Sequence, residues 1–294
     1  MRFLLCLPKM NHQVCFHNNS FHADDIFSAA TLKLIFKFAK IKRTREEQYF
    51  EKGDIVFDVS GKYDGEKYFD HHQYNNAGAR KDGYPYAAFG LIWKKFGIKL
   101  CGSEEIVNRI DENFIKYIDA IDNGYNPDNN NLKISIPEIF GLFNPNWNEN
   151  INYDKEFIKI VKIAEAIILR RIEKEKAILL SKEIVDKAIK EAVDKIIILD
   201  VYCNWQEETV KTENLIIIYP EKNKEKWMIR MIPKELNSFE SRVELKEDWR
   251  GESAKKLFEL TGIKDFLFCH ANGFIASTKT KESAIKVAKL TIGK

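Results

Sequence analysis

No proline occurs between Pro145 and Pro220, and no glycine between Gly141 and Gly251. A stretch that long without either breaker leaves helices and strands to run uninterrupted. Within it Phe157, Val161, Ala164, Ile167, Ile168, Ile172, Ala177 and Leu180 recur at helical spacing, which predicts one or two long helices over residues 152–194. The interleaved lysines and glutamates read as the solvated face of those helices. Beyond them, Ile196-Ile-Ile-Leu199, Leu215-Ile-Ile-Ile-Tyr219 and Trp227 to Ile232 read as three strands, followed by helices near 252–261 and 280–290. Ahead of the stretch, residues 12–124 alternate short β-rich runs with helical segments. His12 to Phe16, Ile41 to Thr44 and Asp54 to Asp58 read as strands, and Asp25 to Lys40 and Tyr86 to Phe96 as helices, with Phe38 on the apolar face of the first. The Asn- and Pro-rich segment Pro127 to Trp147 reads as a long loop or boundary. The expected fold class is therefore α/β: an N-terminal domain over 12–150 with a mostly parallel sheet, a helical linker over 151–195, and a smaller α+β domain over 196–294.

The length of 294 residues fits two domains. With 45% hydrophobic and 31% charged residues, 7 Pro and 14 Gly, the chain is neither disordered nor collagenous. Lys plus Arg exceed Asp plus Glu by 47 − 44 = +3, which excludes a general polycation role. Five cysteines, odd in number and without a C-x-x-C pair, point to neither a disulfide framework nor a zinc knuckle, so a reducing cytoplasm is the expected compartment. The apolar run before Pro8 is shorter than the roughly 7 to 15 residues of a secretory core, and no run approaches the ~18 that a membrane helix needs. Met10 precedes the first strand, so residues 1–9 are expected to be an extension or a misassigned start, with the domain proper beginning after residue 11.

Chemistry concentrates in two short polar segments. Five of the six histidines fall within residues 12 to 72. His17-Asn-Asn-Ser-Phe-His22-Ala-Asp24-Asp25 lies where a strand has ended and a helix begins, and Asp70-His71-His72 follows Tyr68-Phe69. Asp58 ends a strand, and Asp119 and Asp122 sit near a helix terminus. Singly, each has a plain reading as a turn former, a helix cap or a solvated histidine. Together they form a mixed nitrogen and oxygen donor set suited to divalent first-row metals, gathered where open α/β sheets collect function. Spacing alone does not give the reaction.

Asp70-His71-His72, preceded by Asp58 and the N-terminal His/Asp cluster, resembles the DHH superfamily of metal-dependent phosphoesterases. More specifically, Phe16 to Asp25, Phe57-Asp-Val-Ser-Gly-Lys-Tyr-Asp64, Phe69-Asp-His-His-Gln73 and Ile118-Asp-Ala-Ile-Asp-Asn-Gly124 resemble the MYG family. Ser241-Arg242, Asp248-Trp-Arg-Gly251 and Phe268 to Ala276 are similar to its C-terminal blocks, so the likeness covers nearly the whole chain from residue 12. Eukaryotic members are described as 3′-5′ RNA exonucleases, and the family was long labelled metal-dependent protein hydrolases. The resemblance implies His17, His22 and Asp24 as N-terminal ligands, Asp58 between two metals, His71 on the second metal, Asp122 (with Asp119 as substitute) closing its shell, and His72 free to touch the phosphate. Two departures stand out. Ala87-Ala88-Phe89-Gly90 replaces a usual Ser-Ser-Ala-Gly run, which puts a hydroxyl contact to substrate in question, and Ser60 stands where the family usually has glycine.

The implied activity is a two-metal phosphodiesterase, a 3′-5′ exonuclease acting on RNA or short oligonucleotides through metal-activated hydroxide, with manganese preferred and magnesium an option. The alternatives are a hydrolase of a small phosphoanhydride or cyclic dinucleotide, and a non-catalytic metal- or nucleotide-binding module. The second domain is expected to supply substrate contacts from Arg242, Arg250, His270 and Gly273, because guanidinium forks match phosphates and glycine admits close approach. Against that stands the plain reading of the arginines as solvated or domain-bracing charges, and Trp249 reads as core rather than as a base-stacking platform.

Overall fold

The computed structural model describes residues 12–37, 39–73, 77–125, 135–223, 225–238 and 240–294. The expected extension, Phe38 and residues 126–134 of the expected loop lie outside them. The chain divides into two compact units, Met1–Glu175 and Lys176–Lys294.

In the first unit, β1 (Gln13–Phe16), β2 (Lys40–Arg43), β3 (Ile55–Phe57) and β4 (Tyr68–Phe69) form a four-stranded sheet in the order β2-β1-β3-β4. Every pairing is parallel, with Val14 opposite both Ile41 and Ile55, and Phe57 opposite Phe69. Val14, Cys15, Phe16, Ile55, Val56 and Phe57 are all buried, the continuous apolar pattern expected of a parallel sheet covered on both faces. The chain leaves β1 for β2 on one side and returns to β3 on the other. That reversal makes the gap beyond the ends of β1 and β3 a topological switch point, the place where open α/β sheets take their ligands.

The helix α1 (Ala23–Ile35) begins two residues before the expected Asp25 and stops short of Lys40. Its first turn therefore contains Asp24 and Asp25 instead of being preceded by them. After α2 (Glu47–Lys52), α3 (Ala88–Cys101) ends on Gly102, whose φ of +69° supplies the left-handed cap. Next, α4 (Glu104–Ile110) runs through a π-helical turn, Asp111–Ile115, into α5 (Lys116–Asp122). A short α6 (Ile136–Gly141) follows. Phe27 links these helices, stacking on Phe89 and Phe140 at 5.2 Å and meeting Phe114 edge-on at 5.3 Å. Such aromatic contacts add about 0.5–1.5 kcal/mol each beyond burial.

The long breaker-free stretch forms a single helix, α7 (Tyr153–Lys190). It lies within the expected helical segment 151–195. Phe157, Ile160, Val161, Ala164 and Ile168 are buried in the first unit, while Val185 and Ala188 enter a core of the second. No helix among the described residues is long and apolar enough to cross a membrane.

The second unit holds β5 (Ile196–Ile198), α8 (Gln206–Thr209), β6 (Ile216–Pro220), β7 (Trp227–Met231), α9 (Ala254–Thr261), β8 (Phe266–Cys269), β9 (Ile275–Thr278) and α10 (Lys281–Thr291). Its sheet runs β5-β6-β7-β9-β8, parallel only between β5 and β6. On β6, Ile216 and Ile218 join one core with Trp249, Leu257, Phe266 and Val287, and Ile217 and Tyr219 join another with Trp205 and Val185. The period-2 alternation thus buries both faces. Trp249 is core, edge-on to Phe266 at 5.8 Å.

Candidate metal centre

Three parallel strands deliver the site. His17 follows β1 directly, Asp58 follows β3, and Asp70-His71 follows β4. The first turn of α1 brings Asp24 and Asp25, and the last residue of α5 is Asp122. These elements surround a cavity of about 620 Å³ lined by His17, His22, Asp24, Asp58, Asp70, His72 and Asp122 among others.

His17 Nε2 lies 2.8 Å from Asp25 Oδ2 and 3.2 Å from Asp58 Oδ2. Its Nδ1 meets the Asn18 carbonyl at 3.1 Å, which fixes the ring with Nε2 toward the carboxylates. Burial opposes a charge on His17, but the hydrogen bonds to Asp25 and Asp58 outweigh it and push the pKa up to about 10. His71 Nε2 is 3.1 Å from Asp122 Oδ2, and its Nδ1 is 3.8 Å from Asp58 Oδ1. Asp58 adopts φ +52°, a left-handed conformation that Asp and Asn tolerate better than other side chains do.

His72 is held differently. Asp70 Oδ1 accepts both its backbone N–H (2.9 Å) and its Nδ1–H (2.8 Å), so the outer ring nitrogen is left for the cleft. The Asp70 hydrogen bond raises the His72 pKa. Asp70 itself, although burial works the other way, is lowered by its bonds from His72 and from the Gly61 N–H. His71 is buried, whereas the His72 side chain is 60% exposed. The consecutive histidines thus differ in exposure, although their rings stack at 4.3 Å and both face Asp58 Oδ1.

Five carboxylates, Asp24, Asp25, Asp58, Asp70 and Asp122, thus share one small region with two buried imidazoles, His17 and His71, and the exposed His72. Burial raises Asp24 well above the carboxylate range, and Asp122, Asp58 and Asp119 add to it. Burial raises Asp25 as well, against the pull of His17. Asp25 Oδ1, Asp58 Oδ1 and His71 Nδ1 are buried and have no hydrogen-bond partner. A buried polar atom left so costs about 1–3 kcal/mol, and three of them among mutually repelling carboxylates fit a cation-binding role. Donor atoms converge within 4.8 Å in three groups: Asp58 with Asp70, His71 and His72; His17 with His22 and Asp25; and Asp24 with His71 and Asp122. One difference from the sequence expectation follows. Asp25, not Asp24, groups with His17 and His22, and Asp24 instead joins His71 and Asp122.

Asp119 is engaged elsewhere. It is fully buried, and its Oδ2 accepts from Arg80 Nη2 at 2.8 Å, while Asp111 takes two further guanidinium bonds at 2.6 and 2.7 Å. Burial pushes the Asp119 pKa up to about 7 although Arg80 pulls it down, because two carboxylates share one guanidinium. Its Oδ1 receives the Gly90 N–H at 3.1 Å. A Cβ at Gly90 would stand 1.9 Å from Asp119 Oδ2, so glycine is required there by space. Just before it, the N–H groups of Ala88 and Phe89 donate to Asp24 at 3.3 and 2.6 Å. The Ala87-Ala88-Phe89 segment is buried, and its main chain holds Asp24.

Two further side chains escaped the sequence reading. Arg43 donates to the Asn19 carbonyl (2.5 Å) and to Asp154 (2.8 Å), its guanidinium 4.7 Å from the Phe157 ring centre. Asn144 bonds both main-chain groups of Phe21, at 2.9 and 2.7 Å. Between them they fix the His17–His22 loop.

The candidates in the second unit make scaffold contacts. Arg242 donates to the carbonyls of Thr212, Asn214 and Val210, a clamp that leaves little of its guanidinium for a phosphate. Arg250 bonds the Leu245 carbonyl at 2.9 Å and Glu244 at 2.8 Å. Gly273 has φ +67°, and a Cβ there would meet Arg250 Nε at 2.7 Å, so the close approach it permits is that of Arg250. His270 Nδ1 accepts the Asn272 N–H at 3.0 Å.

The family model described as Uncharacterised protein family (UPF0160), MYG1_exonuc, matches residues 13–292. The MYG1 protein of Saccharomyces cerevisiae is 31% identical over 97% of this chain and 96% of its own length. The human protein named MYG1 exonuclease is 29% identical over 94% of this chain and 84% of its own. A solved pGpG-specific phosphodiesterase from Vibrio covers 96% of this chain and 98% of its own at 15% identity, but with a TM-score of 0.34 the overlap is too loose to bear on fold or substrate. With a family match across 13–292 and relatives aligned nearly end to end, this chain belongs to the MYG1 family.

Proposed function

We propose that the protein is a metal-dependent phosphodiesterase that removes nucleotides from the 3′ end of RNA or short oligonucleotides, using two divalent ions, manganese by preference, in the cytoplasm. The observation that carries the reading is the trio of unpartnered buried atoms, Asp25 Oδ1, Asp58 Oδ1 and His71 Nδ1, set among carboxylates at the switch point. Relatives named exonuclease support the hydrolase class. Oxygen-rich donors with imidazole and no thiolate suit Mn²⁺ or Mg²⁺ better than structural zinc.

His17, His22, Asp25 and Asp58 would hold one ion, and Asp24, Asp58, His71 and Asp122 the other. Ions so placed supply Lewis-acid polarisation of a phosphoryl oxygen and a lowered pKa for the attacking water. Asp58 lies between the two groups and is the natural bridge. His72, oriented by Asp70, presents its outer nitrogen to the cleft, where it can donate a hydrogen bond to a phosphate oxygen.

Labelled RNA, DNA and dinucleotides, incubated with Mn²⁺, with Mg²⁺ and with chelator, test this directly. The expected result is stepwise shortening of RNA from its 3′ end, abolished by chelator. Cleavage only of dinucleotides or phosphoanhydrides would replace the exonuclease reading, and no cleavage of any substrate would end it.

The paired histidines give a second test. His71→Ala is expected to lower bound metal per chain, because His71 is buried with an unpartnered nitrogen. His72→Ala should retain metal and lose about a hundredfold in turnover, within the range of a lost acid-base or phosphate-contacting group. Equal metal loss in both variants would show the division to be wrong.

A further inference from the structure

Among the described residues, Arg45 is the only lysine or arginine that lines the cavity. The strand-end turn fixes its position. The Thr44 N–H donates to the Phe16 carbonyl at 2.7 Å, which continues the β2–β1 register by one residue, and the Thr44 hydroxyl accepts the Glu46 N–H at 3.1 Å. Arg45 thus emerges beside His17, at the carboxyl edge of the same parallel sheet. Its neighbour two residues back is engaged elsewhere, for Arg43 binds a carbonyl and a carboxylate through its two terminal nitrogens over aromatic rings. Arg45 is exposed and makes no ion pair or hydrogen bond with any described residue, although Asp24, Asp58, Asp70 and Asp122 line the same cavity.

An unpaired guanidinium on the wall of an acidic cleft is an anion site waiting for its ligand. Cations held by the carboxylates would offset charge at the reacting phosphate, and a second phosphate further along a nucleotide chain would still need a counter-charge. The planar fork of arginine matches a phosphodiester bidentately.

We propose that Arg45 binds a non-reacting phosphate of the substrate, the one adjacent to the bond that is cleaved, and so makes the enzyme select nucleotide chains over simple phosphate esters. This rests on the phosphodiesterase reading above. The site would take a nucleic-acid backbone phosphate or the 5′-phosphate of a dinucleotide, the same chemistry in either source.

The test compares wild type, Arg45→Ala and Arg45→Lys on a 5′-phosphorylated dinucleotide, on an oligonucleotide, and on bis(p-nitrophenyl) phosphate, which has a single phosphate. For Arg45→Ala, KM on the two nucleotide substrates should rise about tenfold to a hundredfold with kcat little changed, a loss at least tenfold greater than on the single-phosphate ester. Mn²⁺ content should equal that of wild type. The dependence of oligonucleotide affinity on log salt should flatten by roughly 0.7, the single-strand value for one phosphate contact, and Arg45→Lys should recover part of the loss. Equal losses on all three substrates, loss of Mn²⁺, or unchanged KM would each overturn the proposal. If wild type cleaves nothing, the phosphodiesterase reading fails by itself. Calorimetric binding of the 5′-phosphorylated dinucleotide then decides the role of Arg45: weaker binding by Arg45→Ala supports it, and equal binding overturns it.

Discussion

Asp58→Asn is expected to cut turnover at least about a hundredfold, ~3 kcal/mol of activation free energy, while the fold persists. Both halves of that expectation come from geometry. The residue sits at φ +52°, where asparagine is as well tolerated as aspartate, and the two side chains have the same shape, so backbone and packing have no reason to change. What changes is one charge between the donor groups, shared by His17 at 3.2 Å and facing His71 and His72. In chelator, wild type and variant should melt within about 2 °C of each other. Manganese should then raise the wild-type melting temperature more than that of the variant, because a ligand that binds only the folded chain stabilises it by mass action, ~2.7 kcal/mol at a hundred times Kd. Full activity in Asp58→Asn would sink the bridging role. Lost activity with a matching collapse in chelator would show that Asp58 is structural.

The largest effect on stability should come from Arg80→Ala. Arg80 is 7% exposed, binds Asp111 through two nitrogens and Asp119 through one, donates to the Pro85 carbonyl at 3.0 Å and covers the Tyr86 ring at 4.3 Å. Removing one partner of a buried ion network typically costs about 3–5 kcal/mol, which for a unit of this size lowers the melting temperature by roughly 6–20 °C. The loss should depend on pH. Without the guanidinium, burial drives Asp119 above its present value of about 7, so the folded variant retains a proton that the unfolded chain releases. Stability then falls as pH rises through the gap between those two values. The deficit of Arg80→Ala should therefore stay constant below about pH 7, where both folded proteins hold the Asp119 proton, and widen above it, where wild type has released that proton and levels off. A pH-independent deficit, or one below about 1 kcal/mol, would show that the network contributes little. Adding Asp119→Asn to Arg80→Ala should restore part of the loss and remove most of the widening.

How much of this was legible in the chain follows from the range of each interaction. His17, Asp58 and His71 could be placed because each ends a β-rich run, and parallel strands bring such ends to one edge of a sheet. The exchange of Asp24 and Asp25 could not. It depends on α1 starting at Ala23, and consecutive helical residues point about 100° apart, so the two acids face different donor groups. Arg80, Asp111 and Asp119 were invisible as a group, since separations of 31 and 39 residues leave no local period. Arg242 looked available because its partners are carbonyls, which every residue carries. Arg45's place on the cavity wall did have a signal: it follows a recognised strand, and the rule that directed attention to Asp58 applies equally to the end of β2.

Asp24 is gripped by the N–H groups of Ala88 and Phe89, and an N–H is common to nineteen of the twenty amino acids. The instruction that aims this carboxylate is thus spelled in chain path, not in residue letters. Serine or alanine at position 88 would read the same to Asp24, provided that the buried volume were respected, and only proline would erase the message. Side-chain identity at this segment can therefore change, within its buried volume, without moving the carboxylate it aims.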